Sequence, residues 1–215
     1  KNNRRVALSS AYYISSSCVI SDRVIYRNGL PVFAGEESQL PELLISAYRH
    51  FGYQYLKFFK MDNLGKLGWL AAEILLSGGF DKNRYRPEEV GLVLSNAHAS
   101  LDTDTRYYET VKDIPSPALF VYTLPNIVIG EISIRHGFKG ENAFFVSESF
   151  DAGFIEHYVT RLVNNDILQA CICGWVDVLG DRYKAALFLV EKEKRENSVT
   201  FTAKNLNNLY ALQNG

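Results

Sequence analysis

Cysteine is scarce in this sequence and neither sign of charge is in excess, and these two shortages remove several classes of protein. Only Cys18, Cys171 and Cys173 occur in 215 residues. An odd count containing a Cys-x-Cys pair does not make the disulfide framework of a small secreted scaffold. Cys171 and Cys173 alternate with apolar residues, which on a strand turns both to one face as small buried hydrophobes. No further Cys/His pair stands at zinc-like spacing, so neither a metal nor a cofactor is expected. Net charge is −1, from 23 basic and 24 acidic residues, so no global field draws nucleic acid or anionic lipid. Apolar runs fall well short of the ~20 residues that span a bilayer. The basic start, Lys1 to Arg5, is not followed by the apolar core of a signal peptide. A cytoplasmic chain without a membrane span is the expectation. Low-complexity tracts, internal repeats and Pro/Gly/Ser linkers are missing too, so residues 1–215 are expected to form one domain.

Apolar residues make up 47% of the chain. A domain of this length buries roughly 70% of its unfolded surface, enough for a core without covalent staples. Val6 to Ile20 suits a strand, with a bend at Ser15 to Ser17. Val24 to Phe33 reads as a hairpin turned on Asn28-Gly29, the pair favoured for a type I′ turn. Pro41 opens a short amphipathic helix that Gly52 ends, and Asp62 can cap a longer one from Leu64 to Leu76. Val90 to Leu94 fits a buried strand, Asp102 offers a cap for a charged helix through Lys112, and Pro115 and Pro117 break the chain. Asn126 to Gly137 resumes as a helix. Ala143-Phe-Phe-Val146 is apolar throughout, as expected of a central strand covered on both faces. Phe150 to Val163 is a helix apolar on most sides and therefore buried. Leu168 to Val176, Ala185 to Val190 and Val199 to Ala203 close the chain as strands. Helices alternating with strands indicate an α/β fold with a mixed, buried sheet flanked by helices.

Three segments in this order resemble the β-ketoacyl synthase family of the thiolase superfamily. Met61-Asp62-x-x-x-Lys66 is similar to that family's helix start. Pro115 to Asn126, followed by Gly130-x-Ile132, Gly137-x-x-Gly140 and Asn142, is similar to its proline-to-glycine block. Phe145-Val-Ser-Glu-Ser-Phe150, then a helix, then Leu168 to Asp177, matches its nucleophile strand and the strand after it. The resemblance covers residues 60–192 well and the N-terminal part loosely. It implies the thiolase half-fold, corresponding to the N-terminal half of a synthase.

Two departures shape what the resemblance implies. The nucleophilic cysteine of the family falls at Ser149, seven residues on from Asn142. A serine hydroxyl there is far less acidic than a thiol and needs a strong base. The histidine or asparagine donors of decarboxylation belong to the family's second half, which this sequence does not contain. Among His50, His98, His136 and His157, only His157 shares Ser149's helix, and eight residues place it roughly 12 Å away. Ser149 is thus expected to cap a helix in a vestigial site, with Glu148 and Asp151 as charges near the helix N-terminus.

The resemblance implies a non-catalytic subunit of the chain-length-factor type. It would pair with a full-length ketosynthase in fatty-acid, polyketide or aryl-polyene synthesis, work with an acyl carrier protein, and form a homodimer in isolation. Family dimers join two sheets through the strand before the nucleophile, here Ala143 to Val146. Phe120, Tyr122, Asn126, Phe144, Phe145 and Phe150 flank that region and are candidates to face a partner's acyl tunnel, unless they are core residues. Two alternatives stay open: an acyltransferase or thioesterase using Ser149, and a homodimer that binds acyl groups or acyl carrier protein.

Overall fold

A computed structural model gives the fold for residues 12–77 and 79–211. Its strands are β1 (Tyr13–Ser21), β2 (Val24–Arg27), β3 (Leu30–Ala34), β4 (Val90–Asn96), β5 (Asn142–Val146), β6 (Ala170–Leu179), β7 (Arg182–Glu191) and β8 (Val199–Thr200). They form one sheet in the order β3-β2-β1-β7-β6-β4-β5, with β8 added to β1. Strands β5, β4 and β6 run parallel, and every other pair is antiparallel. The α-helices are α1 (Leu40–His50), α2 (Asn63–Leu76), α3 (Leu101–Val111), α4 (Pro117–Phe120), α5 (Ile127–His136), α6 (Ala152–Asn164) and α7 (Ala203–Tyr210). The architecture is the expected α/β one, a mixed sheet between helices.

Alternation along the strands feeds two apolar layers. Leu92 and Leu94 of β4 face a layer built on α1, α2 and α5. Val93, Cys171, Cys173 and Phe188 face the layer under α6 and α7. The three cysteines are free and fully buried, and burial pushes their thiols far above the ordinary range. They act as small hydrophobes.

Helix α2 is buried on nearly all sides, as an apolar helix at the centre of a layer should be. Asp62 caps it by accepting from Gly65 N–H at 2.7 Å, and also accepts from the Thr103 hydroxyl at 2.6 Å. One turn from the helix end, buried Glu73 meets Arg135 Nε at 3.2 Å and His136 Nε2 at 2.8 Å, which fixes α5 against α2. The hairpin turns on Asn28 and Gly29 at φ 51° and 79°, both positive as a type I′ turn requires.

Several boundaries differ from expectation, each for a physical reason. Strand β1 runs straight through Ser15 to Ser17, and the only disturbance is a register shift between Ile14 and Ser16 that turns the Ser15 hydroxyl onto Glu191. Residues 6–11 of the expected strand lie outside the described residues. Ser100, not Asp102, holds the N-cap position of α3, while Asp102 accepts from Gly180 N–H at 2.9 Å. The last expected strand shortens to Val199–Thr200, and Thr202 then caps α7 by accepting from Asn205 N–H at 3.2 Å.

Helix α6 begins at Ala152 and buries one face only, through Ala152, Ile155, Val159, Leu162 and Val163. Phe154 is 39% exposed. Strand β5 is not central: it is the last strand of the sheet, paired only with β4 among the described residues. Its apolar side chains give the pattern of a covered strand, but among the described residues it has no neighbour on its outer side.

Gly174 sits in the middle of β6 at φ +142°, where a Cβ would run into the Ala186 carbonyl of β7. Gly174→Ala is expected to lose roughly 2–4 kcal/mol in urea unfolding; a loss within experimental scatter would show that the β6–β7 contact can relax. Burial alone would raise the Glu73 carboxyl, but the hydrogen bonds and charges of His136 and Arg135 outweigh it and hold the group below its usual 4.5. A depressed folded pKa adds stability above 4.5 that is lost as the pH falls through the folded value. Glu73→Gln should therefore flatten the acid limb of the stability–pH curve, and an unchanged limb would place the acid sensitivity elsewhere.

Candidate functional site

Parallel strands β5, β4 and β6 end on one rim of the sheet, where Ser149 follows β5 and His98 follows β4. Ser147 N–H donates to the Asn96 carbonyl at 2.9 Å, which keeps the chain after β5 beside the chain after β4. Its hydroxyl then donates to the Ser149 carbonyl at 2.9 Å. Ser149 is exposed, two residues short of the cap. The cap itself is Asp151, which accepts from Phe154 N–H at 2.8 Å. This corrects the expectation for Ser149: a carboxylate satisfies the helix end better than a hydroxyl and also meets its dipole. The same carboxylate offsets the field that would acidify a thiol or hydroxyl at position 149.

The neighbouring strand ends supply a second pair. Asp177 Oδ1 accepts from the backbone N–H groups of Ala97 and His98, each at 3.1 Å, and its Oδ2 lies 2.8 Å from His98 Nδ1. The carboxylate thus fixes both the turn after β4 and the imidazole. The signal that could have found this pair was the adjacency of β4 and β6, since His98 and Asp177 lie 79 residues apart in sequence. No hydrogen bond joins His98 to Ser149. The other histidines go elsewhere: His50 packs on Phe33, His136 meets Glu73, and His157 lies on the outer face of α6. Among the described residues no group of three or more His, Cys, Asp or Glu could hold a metal.

The aromatic candidates divide. Phe150 turns inward, stacked on Tyr210 at 4.5 Å and edge-on to Trp175, so it closes the α6–α7 layer. Tyr122 is buried, donating to Glu131 Oε1 at 3.0 Å, while Glu131 Oε2 meets Lys57 Nζ at 2.7 Å. Tyr122 is a core residue. Phe144 packs into the layer of α1, α2 and α5. Phe145 faces the other layer, edge-on to Phe154 at 4.7 Å and Tyr158 at 5.1 Å. Asn126 is exposed at the start of α5 and makes no cap bond. Phe120 is 60% exposed on α4. Val146 and Phe154 near the β5 edge, and Phe120, Val121 and Leu124 around α4, are exposed large hydrophobics. Apolar area of this kind beside an open strand edge marks an interaction surface more often than a solvated one.

No model of a known protein family matches the sequence, and no curated protein matches it either. Solved structures do match in fold. The ishigamide ketosynthase/chain length factor superposes with a TM-score of 0.57 at 17% identity, over 84% of this chain and 62% of that one. A type II polyketide synthase acyl-carrier protein in complex with its ketosynthase, AntDE:AntF, gives 0.57 at 16% identity over the same shares, 84% and 62%. The ketosynthase ApeO with its chain length factor ApeC, from Xenorhabdus doucetiae, gives 0.52 at 12% identity, over 85% of this chain and 79% of that one. The chain therefore has the ketosynthase/chain-length-factor fold, and it spans 62% of the length of the first two chains it matches. No described helix is long and apolar enough to cross a membrane.

Ser149→Cys is expected to react with iodoacetamide like an ordinary exposed thiol, while Cys18, Cys171 and Cys173 stay inert in the native state. Adding Asp151→Asn should speed that reaction, because removing the cap carboxylate restores the helix-end field. A thiol at position 149 as inert as the buried three would show that the turn is covered.

Proposed function

We propose that this chain is a ketosynthase-like subunit of the chain-length-factor type, which pairs with a full-length ketosynthase and does not itself catalyse decarboxylative condensation. The observation that carries the reading is the open edge at β5. An apolar strand with one open edge, beside exposed Val146 and Phe154, is a template for strand addition from a second sheet. Phe120 on α4 is the aromatic candidate with free surface to offer such a partner's acyl chain. The solved complexes of this fold include a ketosynthase with its chain length factor and a ketosynthase with its acyl-carrier protein, which supports the same two classes of partner here. In isolation the edge is satisfied by a second copy, giving a homodimer.

Condensation needs a thiolate to hold the acyl chain and donors for the developing enolate, each contributing orders of magnitude in rate. Ser149 stands where the thiolate belongs, and its neighbouring carboxylates Glu148 and Asp151 oppose ionisation of its hydroxyl.

A second reading, acyl transfer onto Ser149 in a transferase or thioesterase, has one observation in its favour: Asp177 orients His98 on the same rim. Intact-mass analysis after incubation with acyl-carrier thioesters separates the two readings. The subunit reading expects no acyl adduct, and an adduct lost in Ser149→Ala would establish the other.

The association itself is tested by charge at the edge. Val146→Lys and Phe154→Asp should each weaken self-association, and co-purification with a co-expressed ketosynthase, at least tenfold. Leu30→Lys on the opposite edge strand β3 should leave both unchanged. Equal behaviour of the three variants in sedimentation, with native circular dichroism, would remove β5 as the interface.

A further inference from the structure

A cavity of about 350 Å³ opens between the start of α2 and helices α3 and α4, away from the β5 edge. Three cations line it: Lys60, Lys66 and Arg106. Among the described residues none of the three forms an ion pair, whereas Lys57, a turn before, is paired with Glu131. Asp62 is the carboxylate in the lining, and its oxygens are already engaged by Gly65 N–H and the Thr103 hydroxyl. Burial also raises the Asp62 carboxyl above its usual range, weakening it further as a counter-ion.

Like charges gathered in a concave, partly desolvated site repel one another, and the protein bears that cost in the absence of an anion. Lys66 shows the strain: burial first, and the Arg106 charge second, lower its ammonium below the usual lysine range. Arg106 offers a planar fork and the two lysines offer point charges, the donor set that recognises phosphate oxygens. The lining also includes apolar Pro41, Met61 and Leu119. We infer that this cavity is a binding site for a phosphate monoester, its oxyanion held by Lys66 and Arg106 with Lys60 at the edge. The lining contains no residue of β5, although it shares α4 with the proposed acyl-facing Phe120, so the calorimetric test is run on the chain alone.

The test is calorimetric titration of the full chain with inorganic phosphate and with phenyl phosphate at neutral pH and low salt. Saturable one-site binding is expected, with a Kd on the order of 1 mM or tighter for phosphate and tighter again for phenyl phosphate. Lys66→Met and Arg106→Met should each weaken it at least tenfold. Lys112→Met, which removes a charge at the C-cap of the same helix as Arg106 but one already paired with Glu109, should not. Thermal unfolding gives an independent readout. Lys66→Met should melt higher than the parent in phosphate-free buffer, because it relieves repulsion, and should lose the rise that phosphate gives the parent. Arg106→Met, at an exposed position, carries the same test if Lys66→Met fails to fold. Absence of saturable binding, equal losses in Lys112→Met, or a variant that keeps the phosphate response would overturn the proposal.

Discussion

Strand β6 is paired along its length with β4 on one side and β7 on the other, and Ala170 to Val176 are all buried. A strand covered on both faces and both edges leaves no freedom to its neighbours. Its β4 neighbour runs parallel and its β7 neighbour, joined by the tight turn at Gly180, antiparallel, and a helix layer covers each face. Gly174 permits the close approach of β7, and Asp177 at the strand's end ties down the turn after β4. The rim that carries Ser149, His98 and Asp177 is therefore a product of β6 packing, and the positions of these side chains follow from it.

The two ends of the sheet are unlike. At β3 the edge belongs to a short hairpin interrupted by Pro31, which discourages strand addition. At β5 the strand is apolar and parallel to its neighbour, with the Phe154 ring of α6 beside it. Such an edge is tolerated when something completes it, and a second sheet of the same fold would offer backbone groups to pair with it. The cation-lined cavity near α2 is lined by none of the β5 residues, so the proposed association and the proposed anion binding can be tested with different variants.

Local chemistry made much of this legible in the sequence. The Asp62 cap, the Asn28-Gly29 turn, the all-round apolar α2 and the alternation that buries Cys171 with Cys173 each depend on residues close together in the chain. The errors share a different cause. Ala143 to Val146 reads as covered because apolar side chains report that a surface is buried, not which molecule buries it. Tyr122 and Phe120 are both aromatic and two residues apart, yet one phenol finds Glu131 inside the core and the other ring faces outward. Ser149 could not be separated from Asp151 as the cap by counting alone, since the helix start was placed two residues early. The His98–Asp177 pair and the Lys66–Arg106 cavity join residues distant in sequence, which no local pattern reveals.

Hydrogen exchange of the β5 amides tests the central claim most directly. Residues 142–146 form an edge strand that, under the proposed assembly, a second sheet completes. Their outward amides should exchange freely in the dilute chain and become protected as its concentration rises or as a co-expressed ketosynthase is bound, while β6 amides stay protected throughout. Protection of β5 that is already complete in the dilute monomer, or that does not change with concentration or partner, would contradict the account.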